Sequence, residues 1–202
     1  MAGHSAKSLF EKNIQSAEYC LTLYQGVSRL QPKGVDLTWI LRAAVVFVVS
    51  ALDTYFHDKV KYKVGKFSLH NLPPALAKFE IPVSNIASWD KADRKGNVLR
   101  NWVSAHLSTR PLQSPDRIAE ALKLAGIDGV WARIEPDNQA RKAMLDEFNS
   151  LMRRRHQIAH EGDREQSRRS GKKVRSIKDA YVADSITFAK SLVDKIETAF
   201  PK

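Results

Sequence analysis

Between residues 37 and 56 the apolar side chains Leu37, Ile40, Leu41, Ala44, Val45, Val48, Leu52, Tyr55 and Phe56 recur at intervals of three and four. That is the period of a helix burying one broad face, and a helix so apolar needs other elements packed around it. The run Val45-Val46-Phe47-Val48-Val49 is rich in strand-forming residues, but the length of the segment and its flanking polar periodicity favour helix. Asp36 can cap this helix, which is expected to run to about Val60 as the central helix of the fold.

The same period recurs elsewhere. Leu9, Phe10, Ile14, Ala17, Leu21, Tyr24 and Val27 mark a first helix over Ser5 to Leu30, ended by Gln31-Pro32-Lys33-Gly34. Residues 64–134 read differently. Pro73-Pro74 and Pro82 break any long element there, so this stretch is expected to be an irregular excursion from the helical core. It holds a short helix over Asn97 to Leu107 and another opened by Ser114-Pro115-Asp116 and closed by Gly126. Glu135-Pro136-Asp137 opens a long helix carrying Met144, Leu145, Phe148, Leu151 and Met152. Ser176-Ile177-Lys178-Asp179 has the spacing of a capping box, with Asp in the Glu position. The last helix, to about Phe200, presents Ala180, Ala183, Ile186, Ala189, Leu192, Val193 and Ile196. No segment reads as a convincing strand and no internal repeat occurs. The predicted fold class is all-α: one helical bundle over residues 1–202, with 64–134 as a short-helix insertion and 163–175 as a basic loop.

Charge narrows the partner. With 33 Lys and Arg against 22 Asp and Glu, the formal charge is +11, which favours a polyanion: nucleic acid first, an anionic membrane surface second. Cys20 is the lone cysteine, so there is no disulfide framework and no cysteine pair to hold zinc; it reads as a small buried apolar residue in a reducing compartment. Met1-Ala2-Gly3-His4-Ser5 carries no basic segment followed by an apolar run, so secretion is not expected. The most apolar stretch, Trp39 to Leu52, is interrupted by Arg42 and Ser50 and is short for a bilayer. A cytoplasmic protein without a membrane partner is the expectation.

The chemistry-bearing residues collect where the long helix ends, in Arg153-Arg154-Arg155-His156-Gln157-Ile158-Ala159-His160-Glu161-Gly162-Asp163. Arginine is a fixed cation shaped for phosphate, and histidine exchanges protons near neutrality. Gly162 suits the left-handed turn after a helix, which places His160 in the last turn at the negative end of the helix dipole. On a helical wheel Asn149, Arg153, His156 and His160, spaced four, three and four apart, form a polar stripe. Arg155 falls instead within the apolar arc of Met144, Leu145, Phe148, Leu151, Met152 and Ala159. A permanent cation there needs either a buried carboxylate, for which Asp53 is one candidate, or a partner chain that turns the arc into a cleft. Arg155 and His160 are about 140° apart on a regular helix, so using both calls for the helix to end at Gly162, a partner subunit, or both.

Other polar residues read as ordinary. His57, His70 and His106 are scattered singly, and Trp39, Trp89, Trp102 and Trp131 suit core or interface positions better than stacking on bases. His156 and His160 have metal-ligand spacing, but no zincin Glu lies between them, so neither a metal nor a cofactor is expected. The basic residues Arg164, Arg168, Arg169, Lys172, Lys173 and Arg175 can grip phosphates as an arm or form a solvated loop.

Arg155-His156-Gln157-Ile158-Ala159-His160 matches the Arg-x4-6-His signature of the HEPN superfamily, and the wider run to Asp163 looks most like its RiboL-PSP-type branch. Arg42 to Phe56, with Asp53, resembles that branch's central helix, and Gln113-Ser114-Pro115-Asp116-Arg117-Ile118 with Ala125-Gly126-Ile127-Asp128 resembles its intervening segment. The departure is His156, where many members carry asparagine; the imidazole either takes over an orienting role or adds a second titrating group. The resemblance implies a HEPN-like bundle that dimerises with two motifs facing one cleft and acts as a metal-independent endoribonuclease, in many members a toxin or antiviral effector.

On this reading the partners are RNA, a second copy completing a composite site, and an antitoxin or defence-system protein. RNA carries its own nucleophile, the 2′-hydroxyl, so the site has only to move two protons and stabilise negative charge on phosphorus. His160 is expected to transfer protons and Arg155 to hold the phosphate. His156, Arg153, Asn149 and Asp53 are expected to support them. The competing expectation is a non-catalytic module that dimerises and binds RNA or a nucleotide for another protein.

Overall fold

The computed structural model describes residues 5–81, 89–93, 95–165 and 173–201. Its longer helices are α1 (Ala6–Ser28), α2 (Thr38–Val64), α4 (Lys95–Ser108), α5 (Pro115–Leu124), α7 (Asn138–His160) and α8 (Asp179–Ala199). Two shorter ones are α3 (Pro74–Ala77) and α6 (Val130–Ile134), and a 3-10 turn spans Leu69–Asn71. Among the described residues there is no strand, only an isolated antiparallel bridge between Arg164 and Val174. The fold is all-α.

The ends of these helices follow local chemistry. Ser5 accepts from the Ser8 N–H at 3.1 Å to start α1, and Ser114 accepts from Arg117 with Pro115 in the first turn of α5. Asp137 Oδ1 accepts from the Ala140 N–H at 2.7 Å and opens α7. Asp36 also serves α2, accepting from the Thr38 backbone at 2.9 Å, although the residue at the cap position is Leu37. The capping box expected at residues 176–179 does not form. Lys178, whose ammonium cannot accept a hydrogen bond, occupies the cap position of α8, two residues beyond Ser176.

α2 is the axis of the bundle. It packs most extensively on α1 and also meets α4, α5, α7 and α8, with Leu41, Ala44, Val45, Val48, Val49, Leu52 and Phe56 fully buried. Its 27 residues exceed the sequence expectation, and by length and composition alone it could cross a membrane. Here 56% of its apolar window is buried inside the protein, the setting of a core helix.

The insertion within residues 64–134 is not an excursion from the core. Leu99, Val103, Leu107, Leu112, Ile118 and Leu122 join the same buried cluster as α1, α2, α7 and α8. The prolines break this stretch into pieces: of those described, α4 and α5 pack on α2, while α3 packs on α5, and α6 on α5, α7 and α8. The pieces fit closely: a Cβ on Gly96 would lie 2.6 Å from the Gly65 carbonyl oxygen, so backbone passes backbone where α4 starts beside the end of α2. Cys20 is half-buried against the core rather than fully buried, and burial pushes its thiol pKa up.

Candidate functional site

α7 carries the motif to the edge of the bundle. Phe148, Leu151 and Met152 bury its inner face, and the helix stops where Gly162 (φ +60°) and Asp163 (φ +56°) turn left-handed. The Gln157 carbonyl accepts from both Glu161 N–H at 3.1 Å and Asp163 N–H at 2.9 Å, which winds the chain tightly around the helix end. An aspartate at positive φ is strained relative to glycine, and side-chain contacts must hold it there.

Those contacts form the most densely bonded polar cluster near the motif. The Asp163 side chain is 1% exposed. Its Oδ2 accepts from Arg42 Nε at 2.8 Å and from Arg154 Nη2 at 2.9 Å. Its Oδ1 lies 2.8 Å from Arg154 Nη1, an ion pair whose N–H direction is off the hydrogen-bond line. Arg42 also donates to Thr38 Oγ1 and to the Arg175 carbonyl, and Arg154 to the Ser176 carbonyl at 3.0 Å. The Arg175 N–H donates to the Asp163 carbonyl at 2.8 Å, and its guanidinium lies 3.6 Å from Glu161. One buried carboxylate thus ties together the start of α2, the end of α7 and the approach to α8.

This cluster was not read from the sequence. Its one visible signal was Arg42, a charge interrupting the most apolar stretch of the chain. Asp163 carries no such signal, because a polar residue after Gly162 reads as an ordinary turn.

The three arginines of the motif therefore have different surroundings. Arg154 is consumed by Asp163. Arg153 is exposed and has no ion pair among the described residues. Arg155 is half-buried on the apolar side of α7, and among the described residues it has neither hydrogen bond nor ion pair. Asp53 is not its counterion: Asp53 Oδ1 accepts from the Leu112 N–H at 2.7 Å and Oδ2 lies 3.8 Å from His57 Nε2. The Leu112 bond ties α2 to the segment before α5, and burial holds the His57 pKa below its usual value, against the raising effect of Asp53.

His156 and His160 are both exposed, with ring centroids 4.8 Å apart and planes at 42°. Among the described residues no third ligand joins them into a metal-binding group. Asn149 is exposed on the same face, but eleven residues from His160 amount to about 16 Å along a helix, too far to share one phosphate.

The expected basic arm divides. Arg168, Arg169 and Lys172 lie outside the described residues. Arg164 is exposed, and Lys173 pairs with Glu165 at 3.3 Å across the antiparallel contact of residues 163–165 with 173–175. Arg175 is half-buried and belongs to the Asp163 cluster, its carbonyl accepting from Arg42 and its guanidinium facing Glu161.

Among the tryptophans, Trp89 and Trp102 stack with centroids 5.2 Å apart, and Trp131 donates to the Pro115 carbonyl at 3.1 Å. Trp39 differs, at 59% exposed. It shares a face of α2 with the half-buried Ala43 and Val46 and with Phe47, which is 42% exposed.

No curated protein and no solved structure matches the chain. The family model described as RiboL-PSP-HEPN matches residues 10–200, from the second turn of α1 to the end of α8. HEPN domains are often ribonucleases and otherwise act as nucleotide-binding modules. The match takes in the helical core, the motif at the end of α7 and the Asp163 cluster together, and the chain belongs to the RiboL-PSP-HEPN family.

Proposed function

We propose that this protein is a metal-independent endoribonuclease whose active site is completed by a second copy of the chain, working in a toxin–antitoxin or anti-phage setting. The observation that carries the reading is the contrast at the end of α7. Arg154 is fully paired, whereas Arg155 is half-buried without a partner among the described residues and His160 stands exposed beside His156. A half-buried arginine without a counterion leaves its guanidinium available to an anion, and a phosphodiester is an anion of the right geometry. The exposed apolar face of α2, with Trp39 and Phe47, supports a second copy docking there.

In this mechanism one His160 takes the proton from the 2′-hydroxyl as that oxygen attacks phosphorus. Arg155 stabilises the added negative charge, and the His160 of the second copy protonates the departing 5′-oxygen as the P–O5′ bond breaks. The products are a 2′,3′-cyclic phosphate and a 5′-hydroxyl. His156, 4.8 Å from His160 between ring centroids, orients the phosphate or assists the proton transfer.

The test is cleavage of total RNA and transfer RNA by purified protein in the presence of a chelator, beside Arg155→Ala and His160→Ala. Chelator-resistant cleavage lost in both folded variants is the expected result. No cleavage by the parent under any condition would leave the non-catalytic binding module.

A further inference from the structure

A second site lies on the same flank of α7, in the groove that α7 makes with α8 and the segment before it. The groove has a volume of about 440 Å³ and is lined by Arg153, Gln157, Lys178, Tyr181 and Asp184 among others. That volume is in the range of small-ligand sites. On the α7 wheel Arg153 and Gln157 lie about 20° and 60° from His160, and Arg153 is about 10 Å back along the axis. Ser150 and Arg154, which also line the groove, lie about 80° and 120° from His160 on the same side, so the groove runs beside the His160 face rather than on it.

Its chemistry is mixed in an informative way. Arg153 and Lys178 are exposed cations with no ion pair among the described residues, although Asp184 lines the same groove. Tyr181 is half-buried and offers an aromatic wall, and burial pushes its hydroxyl pKa up. Gln157 and Asp184 offer neutral and anionic hydrogen-bonding groups. The floor is rigid, because Arg154, which also lines the groove, is held by Asp163 and the Ser176 carbonyl. Exposed cations, an aromatic ring and an exposed carboxylate lining one groove are what a nucleotide asks for: charge for phosphate, a flat surface for the base, an acceptor for an exocyclic amino group.

We propose that the α7–α8 groove binds one nucleotide of single-stranded RNA next to the phosphate at His160, with Arg153 and Lys178 on its phosphate, Tyr181 against its base and Asp184 accepting from a base amino group. This rests on the proposed RNA chemistry for its biological meaning, but the binding can be measured without cleavage. Because uracil has no exocyclic amino group, the groove prefers cytosine to uracil.

The experiment uses full-length His160→Ala protein and fluorescein-labelled hexamers of cytidylate and uridylate, read by fluorescence anisotropy at fixed salt. The cytidylate hexamer binds at least fivefold tighter than the uridylate hexamer, and Asp184→Asn removes that difference. Tyr181→Leu weakens binding about fivefold or more, whereas Tyr181→Phe, which retains the ring, stays within twofold. Lys178→Glu, at an exposed position that makes no cap bond, weakens both hexamers about tenfold. Unchanged binding in Lys178→Glu and Tyr181→Leu, each folded by circular dichroism, overturns the groove. An absence of base preference that Asp184→Asn leaves untouched overturns the base contact. If wild-type protein fails to cleave RNA while these binding losses persist, the catalytic reading falls and the groove stands.

Discussion

Asp163 shows how much one side chain can organise. It takes up a left-handed backbone conformation, lies almost wholly out of solvent and forms ion pairs with two arginines from different helices. Removing its charge leaves Arg42 and Arg154 facing each other without a counterion. Asp163→Asn is therefore expected to cost about 3 kcal/mol of stability, at the low end for a broken buried pair because the guanidiniums retain some exposure. Chemical denaturation measures it; a loss below about 1 kcal/mol would mean that the cluster contributes little. His57 gives a second residue-scale expectation, in pH. Its folded-state pKa lies below the usual 6.5 because burial disfavours the imidazolium, so the unfolded chain binds the proton more readily. Its contribution to stability is present in full above pH 6.5 and is lost as pH falls through the folded pKa. Denaturation midpoints measured from pH 7.5 to 5 should fall, and His57→Gln should flatten that slope.

At the scale of elements, two contacts set how the helices meet. Gly96 lets α4 begin against the backbone at the end of α2, and a methyl group there has no flexible side chain to push aside. Gly96→Ala is expected to destabilise by about 2 kcal/mol, as overpacking does, despite alanine's better helix propensity. A thermal melt equal to or above the parent's would refute the close approach. Asp137→Ala removes the cap of α7 and should cost about 1 kcal/mol. Because the motif lies at the other end of that helix, the RNA affinity of the folded protein should be unchanged.

At the scale of the whole molecule, the exposed face of α2 is the feature a lone subunit leaves unexplained. Trp39 and Phe47 stand in solvent although the opposite face of α2 forms the core. If a second copy covers them, Phe47→Asp yields a folded monomer by sedimentation and abolishes cleavage without touching Arg155 or His160. A monomeric parent, or a monomeric Phe47→Asp protein with full cleavage, would remove the composite site.

The six longer helices and their order were legible in the sequence, because caps such as Asp137 and Ser114 act on the next few N–H groups, and a 3.6-residue period marks a buried face; the short helices α3 and α6 were not. The motif was legible for the same reason: Arg155 and His160 lie five positions apart in one helix. What the sequence left open involved partners far away along the chain. Asp53 looked like a counterion for Arg155 but is spent on Leu112 and His57, while Asp163 looked like a turn residue and is bound by an arginine 121 positions away. The insertion looked peripheral because its prolines break periodicity, yet its apolar faces close the core. Local hydrogen bonding and periodicity belong to short stretches of sequence and can be read there; the choice of which carboxylate neutralises which arginine depends on distances that exist only once α2, α7 and the approach to α8 have packed.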